Sequence, residues 1–179
     1  MINFEDARNP VRELIESSLA SFASEKSDVT WSTFALYACP WAGWITANFD
    51  TGANSAEIVA RFGVNGPDWY AEDEWGRFNN NCPDFAFRQW RGLDLPHWQH
   101  EYEEAEPIHV RDLSGQDHFI GSENEAINGL TFYFLRTVLS DKLNSMNGSS
   151  LFPGAQHRFG VQLLDSRFVE FWRSQDNTR

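Results

Sequence analysis

The stretch "TWSTFALYACPWAGWITANFD", residues 30–50, decides the fold. Its first half is rich in β-branched and aromatic residues and reads as a strand buried on both faces, from Val29 to about Ala38. A second strand follows from about Trp44 to Phe49, and Pro40 and Gly43 make the turn between them. Two strands joined by so short a turn pair antiparallel. Cys39 stands directly before Pro40, as in the redox turn of thioredoxin-like proteins. That chemistry needs the thiolate at a helix N-terminus and usually a second cysteine three positions on. Here that position is Ala42, the following residues continue as strand, and Pro40 has no N–H to donate. Cys39 therefore reads as a buried structural thiol.

The end of the chain repeats the pattern. "HRFGVQLL" (157–164) and "RFVEFW" (167–172) are strand-like runs parted by Asp165 and Ser166, which predicts a tight hairpin. Helices fill the intervals. Asn9 followed by Pro10 reads as a helix start, with Val11, Leu14, Ile15, Leu19 and Phe22 at helical spacing and an end near Lys26. Ser55 is placed to cap a short helix closed by Gly63. Ser122 and Glu125 fit a capping box opening a long helix over about 123–144, apolar around most of its circumference. The expectation is an α+β single domain spanning 1–179. It has an antiparallel sheet of at least four strands, with about three helices packed mainly on one side.

The middle of the chain is different. Prolines at 67, 83, 96 and 107 interrupt it, and Trp69, Tyr70, Trp75, Trp90, Trp98 and Tyr102 need burial or a partner. Short helices are expected around 68–78 and 97–105, and "IHVRDLSGQDHFIG" reads as a short edge strand and loop.

Charge is the most informative global property. The net charge is −12 over 179 residues, and from Asp68 to Ala126 fourteen Asp and Glu face four Arg and no Lys. Such a field opposes nucleic acid and anionic membranes and favours a basic partner. No apolar run approaches the roughly 18–20 residues that cross a bilayer. The segment "MINFEDARNP" is acidic where a secretory signal is basic, so a cytoplasmic protein is expected. Two cysteines, Cys39 and Cys82, are too few for a disulfide framework and are expected to be reduced.

Catalytic signatures are weak. His97 and His100, beside Glu101, Glu103 and Glu104, form an i, i+3 pair that on a helix could hold a transition metal, with His109 or His118 as a third ligand. The segment lacks the spacing of a metallopeptidase helix, and an acidic exposed helix is the plainer reading. Glu72, Asp73 and Glu74 are adjacent, so they do not face each other across a substrate. There is no phosphate-cradling glycine loop and no nucleophile elbow. No catalytic residue, metal or cofactor is assigned.

Three segments, "EWGRFNNNCPDFAF" (74–87), "GLDLPHW" (92–98) and "HRFGVQLLDSRFVEFW" (157–172), together resemble a family of small bacterial proteins of unassigned function, from about Val29 onward. Small acidic α+β proteins of that sort resemble the immunity proteins encoded beside polymorphic or contact-delivered toxins. The resemblance implies stoichiometric neutralisation of a cognate toxin, without catalytic residues. Joined to the charge, it gives the leading expectation: a non-enzymatic binder of a basic protein, such as a nuclease toxin. Asp73, Glu74, Glu101, Glu103 and Glu104 would supply the field, and Trp75 and Trp98 the anchors. The alternative is a metal-dependent or hydrolytic enzyme built on His97, His100 and nearby carboxylates. A third class is a scaffold whose aromatics serve only the core.

Overall fold

The computed structural model describes residues 1–62, 70–73, 76–100, 107–121, 124–146 and 157–173. In chain order these form β1 (Ile2–Asn3), α1 (Phe4–Glu25), β2 (Trp31–Cys39), β3 (Trp44–Thr51) and α2 (Gly52–Phe62). Next come β4 (Tyr70–Asp73), β5 (Gly76–Asn79), a 3₁₀ turn at Cys82–Asp84, β6 (Phe87–Asp94) and a second 3₁₀ turn at Pro96–Trp98. The remainder is β7 (Ile108–Arg111), β8 (Asp117–Ile120), α3 (Asn124–Ser145), β9 (Arg158–Leu163) and β10 (Val169–Arg173). The α+β architecture is as expected.

The main sheet runs β10-β9-β2-β3-β6. The two hairpins read from sequence are both present, β2 with β3 and β9 with β10. They join through β2 and β9, and that join is parallel, with Phe34 opposite Phe159 and Leu36 opposite Val161. The sheet is therefore mixed rather than wholly antiparallel. The long excursion from β3 to β9 returns the chain in the direction of β2. A second sheet, β1-β7-β8, is also mixed, with a parallel β1–β7 pair and an antiparallel β7–β8 hairpin. Residues 108–120 thus hold two strands where one was expected. The segment expected to be helical around 68–78 holds the antiparallel pair β4 and β5 instead.

The first helix begins earlier than Asn9. Asn3 caps it, accepting the Asp6 backbone N–H at 3.2 Å, and its amide donates to the Asp6 carboxylate at 2.7 Å. Pro10 then lies inside the helix and removes the bond its N–H would have made to the Asp6 carbonyl. The buried stripe Phe4, Ala7, Val11, Leu14, Ile15, Leu19 and Phe22 carries the helix through that defect. Ser55 is also not a cap. It lies inside α2, buried, and its hydroxyl accepts the Asn79 N–H at 2.6 Å, while Thr51 Oγ1 accepts the Asn54 N–H at 3.1 Å at the helix start. The residues proposed as the capping box of α3, Ser122 and Glu125, cannot be paired here, because Ser122 lies outside the described residues.

Helices α1 and α3 cover one face of the main sheet. Phe22 stacks on Phe49 with centroids 4.0 Å apart, and Phe4 stacks on Phe134 at 4.7 Å. Phe34, Leu36, Ala47, Phe159 and Val161 complete this apolar core at 0–1% exposure. Burying each of these side chains other than that of Ala47 is worth about 1.5–3 kcal/mol. The β2–β3 turn closes at Gly43, whose φ of +68° and whose approach to Leu95 O, 2.5 Å from where a Cβ would lie, both require glycine. Cys39 is fully buried beside this turn, and burial raises its thiol pKa. It is the structural residue the sequence predicts. Cys82 is also free and buried.

Candidate functional site

The opposite face of the main sheet is more polar, and α2 with the segment 79–86 lies over part of it, around a small apolar cluster of Ala35, Cys82 and Phe85. In the β-ladders Arg158 pairs with Thr33 and Thr33 with Asp50, so the three occupy one row across β9, β2 and β3. All three are buried, at 4%, 0% and 0% exposure. Asp50 Oδ1 accepts from Asn54 Nδ2 at 2.7 Å and from the Ala86 N–H at 3.1 Å, which ties α2 and the 84–86 backbone to β3. Asp50 Oδ2 and Thr33 Oγ1 have no hydrogen-bond partner among the described residues. Burial raises the Asp50 pKa against those hydrogen bonds. Arg158 extends over the rings of Phe78 and Phe171, 4.5 and 5.5 Å from their centroids, and donates to Asn80 Oδ1 at 2.8 Å.

Beside this row the sheet opens into a cleft of about 520 Å³, walled by Tyr37, Asn80, Asn81, Pro83, Gln162 and the β9–β10 turn at Asp165. Its wall is held by a chain of hydrogen bonds. Gln162 Oε1 accepts the Cys82 N–H at 2.7 Å, Gln162 Nε2 donates to Asn81 Oδ1 at 3.0 Å, and Asn81 Nδ2 donates to Asp84 Oδ2 at 2.8 Å. Asp165 adopts φ of +50°, the left-handed conformation that lets the two-strand turn close. Burial, with the nearby Cys82 and Asp165, pushes the Tyr37 phenol up to about 12, so it is a hydrogen-bond donor at neutral pH. Asp165 and Ser166 are legible in sequence as a turn, whereas the role of the amide run Asn79–Asn80–Asn81 is not. Three consecutive amides before a Cys-Pro were the available signal.

The residues singled out from sequence fare unevenly. Trp98 is a core residue, not an anchor. It is 1% exposed, and its ring meets Phe4 edge-on at 5.4 Å and Phe134 at 6.0 Å. The Pro96–Trp98 turn inserts it beside β1, so no partner can reach it. Asp73 closes β4. Glu74, Trp75, Glu101, Glu103 and Glu104 lie outside the described residues.

His97 and His100 do not share a helical face, because the turn ends at Trp98. His97 is exposed, whereas the His100 ring places Nδ1 2.8 Å from the Trp98 carbonyl. Their suggested third ligands are engaged with aspartates: His109 lies 3.0 Å from Asp117, and His118 lies 2.8 Å from Asp112. Among the described residues no group of three His, Cys, Asp or Glu is arranged to hold a metal ion.

The described part of the acidic segment exposes one aromatic directly. Phe119 on β8 is 71% exposed and stacks on His109 across the hairpin, with centroids 4.9 Å apart. Asp117, beside it, is held ionised by the Arg111 guanidinium and by His109, well below the ordinary carboxylate range. Asp112 is lowered in the same way by His118 and Ser114. No helix among the described residues is long and apolar enough to cross a membrane. No protein-family model matches this chain, and no curated protein or solved structure is significantly similar to it.

Proposed function

We propose that this protein is a non-enzymatic binding module for a basic protein, acting as an immunity protein that neutralises a cognate bacterial toxin by stoichiometric binding. The observation that carries the reading is the concentration of charge: fourteen carboxylates against four arginines between Asp68 and Ala126. A field of that sign steers a cationic partner to the surface and repels nucleic acid. Asp112 and Asp117 of that segment are already engaged by His118 and by Arg111 with His109, so the field rests on its other carboxylates, and the exposed Phe119 offers the apolar contact that Trp98 does not.

The test is a pull-down from the source organism's lysate at low and high salt, with retained proteins identified by mass. A single basic protein held at equal stoichiometry and released by salt supports the reading. The triple charge reversal Glu101→Lys, Glu103→Lys and Glu104→Lys should weaken that complex strongly, mainly through slower association, while the far-ultraviolet circular dichroism is unchanged. Undiminished affinity in the folded triple variant removes this face from the interface.

A further inference from the structure

We infer that the cleft between Tyr37 and the β9–β10 turn is a recognition pocket for a guanidinium group, namely an arginine side chain presented by a bound protein. The identity of the arginine's bearer rests on the binding role proposed above; the pocket's chemistry does not. The cleft is a built site. Asn81 and Gln162 satisfy each other and the Cys82 N–H, and Arg158 fixes Asn80, so the wall is ordered before any ligand arrives.

The groups left over define the ligand. Among the described residues the Asp165 carboxylate stands exposed at the cleft with no ion pair or hydrogen bond to its side chain, and none of those lining the cavity is a lysine or arginine. The Tyr37 hydroxyl likewise has no hydrogen-bond partner among the described residues, and its ring contributes to the wall. An anion would meet Asp165 without a counter-charge, and a neutral polyol would leave the carboxylate uncompensated. A cation completes it.

Shape separates the two cationic side chains. A guanidinium offers a planar fork that engages a carboxylate through two parallel N–H bonds, and it stacks on an aromatic ring. An ammonium does neither. Apart from Ser166, whose hydroxyl accepts the Phe168 N–H, the remaining lining is the apolar set Pro83, Leu163, Leu164 and Val169, which suits the aliphatic stem of an arginine. The cavity also lies on the polar face of the sheet, away from α1 and α3, so its occupation leaves the core untouched.

The experiment is a titration of the full chain with Nα-acetyl-arginine methylamide, followed by amide chemical shifts, against the citrulline and lysine counterparts. Saturable shifts at residues 37, 80–83 and 162–166 with the arginine compound are expected, with none from citrulline, which lacks the charge. Asp165→Asn should weaken binding about tenfold or more while the rest of the spectrum keeps its dispersion. Tyr37→Phe should weaken it less.

No saturable shift at the cleft, or affinity unchanged in Asp165→Asn, overturns the pocket. Equal binding of the lysine compound overturns the guanidinium assignment. The outcome is separable from the binding role. A pocket that takes arginine in a protein whose pull-down retains no basic partner would sink the role and keep the pocket. A salt-sensitive partner held equally well by Asp165→Asn would keep the role and sink the assignment of that partner's arginine to this pocket.

Discussion

Phe171 on β10 lies directly over Gly160 on β9, so closely that a Cβ at position 160 would fall 2.3 Å from its Cδ1. The ring covers the bare backbone of its cross-strand partner and also reaches Phe85, 6.1 Å away between centroids. Gly160→Ala must push the ring aside, and it should cost about 1–3 kcal/mol in urea unfolding. In a Phe171→Ala background the obstruction is gone, so the same change should cost much less. Equal costs in both backgrounds would show that Gly160 is needed for its backbone and not for the ring above it.

Trp98 supports the fold from within. Trp98→Ala should destabilise the protein by about 3–5 kcal/mol, because it empties a large site between Phe4 and Phe134 that the surrounding elements cannot collapse to fill. Trp98→Phe retains most of the ring contact and should cost less. Any loss of partner affinity in Trp98→Ala should track the unfolded fraction, as measured by denaturant titration at the temperature of the binding assay. A stable Trp98→Ala protein with lost affinity would return this residue to the interface.

The Ser21 hydroxyl makes two of the bonds between α1 and β6. Ser21 Oγ accepts from both Trp90 Nε1 and Arg91 Nε, each at 2.9 Å. Ser21→Ala leaves the indole N–H without that acceptor, at a cost of about 1–2 kcal/mol. Ser21→Thr restores an acceptor and should recover part of the loss in the same thermal melt.

The contrast between what was and was not legible follows from these details. The β2–β3 hairpin is readable because Trp31, Phe34, Leu36 and Phe49 mark strands while Pro40 and Gly43 mark the turn, all within some twenty residues of sequence. The parallel join of β2 to β9 is not, since Phe159 and Val161 would read the same in either direction and their partners lie over a hundred residues away. The α1 start was misplaced because Asn-Pro is a stronger local signal than Asn3, whose cap rests on a hydrogen bond to Asp6. The polar face was legible only as burial. Nothing local says that Arg158, over a hundred residues further on, falls in one row with Thr33 and Asp50 of the β2–β3 hairpin. Trp98 misled because an isolated aromatic beside prolines and carboxylates reads equally as anchor or core, and only its packing decides.

Asp50 gives the sharpest test of that row. Burial holds its pKa above the ordinary 3.8, so in the window above that value the native state keeps a proton that the unfolded chain has released. The stability this contributes is fully present below the unfolded pKa and is lost as pH rises through the folded one. Asp50→Asn removes the titration yet keeps an oxygen to accept from Asn54 and Ala86, so its stability should be flat across the window. At pH 7 it should equal or exceed the wild type. Asp50→Ala loses the acceptor and should fall by about 1–3 kcal/mol at every pH, because Asn54 Nδ2 and the Ala86 N–H are deprived of their partner. Urea unfolding of the three proteins between pH 4 and pH 8 separates the cases. If Asp50→Asn is as unstable as Asp50→Ala at pH 7, the carboxylate is needed as a charge facing Arg158, and the buried row is an ion pair in function rather than a hydrogen-bonded tie.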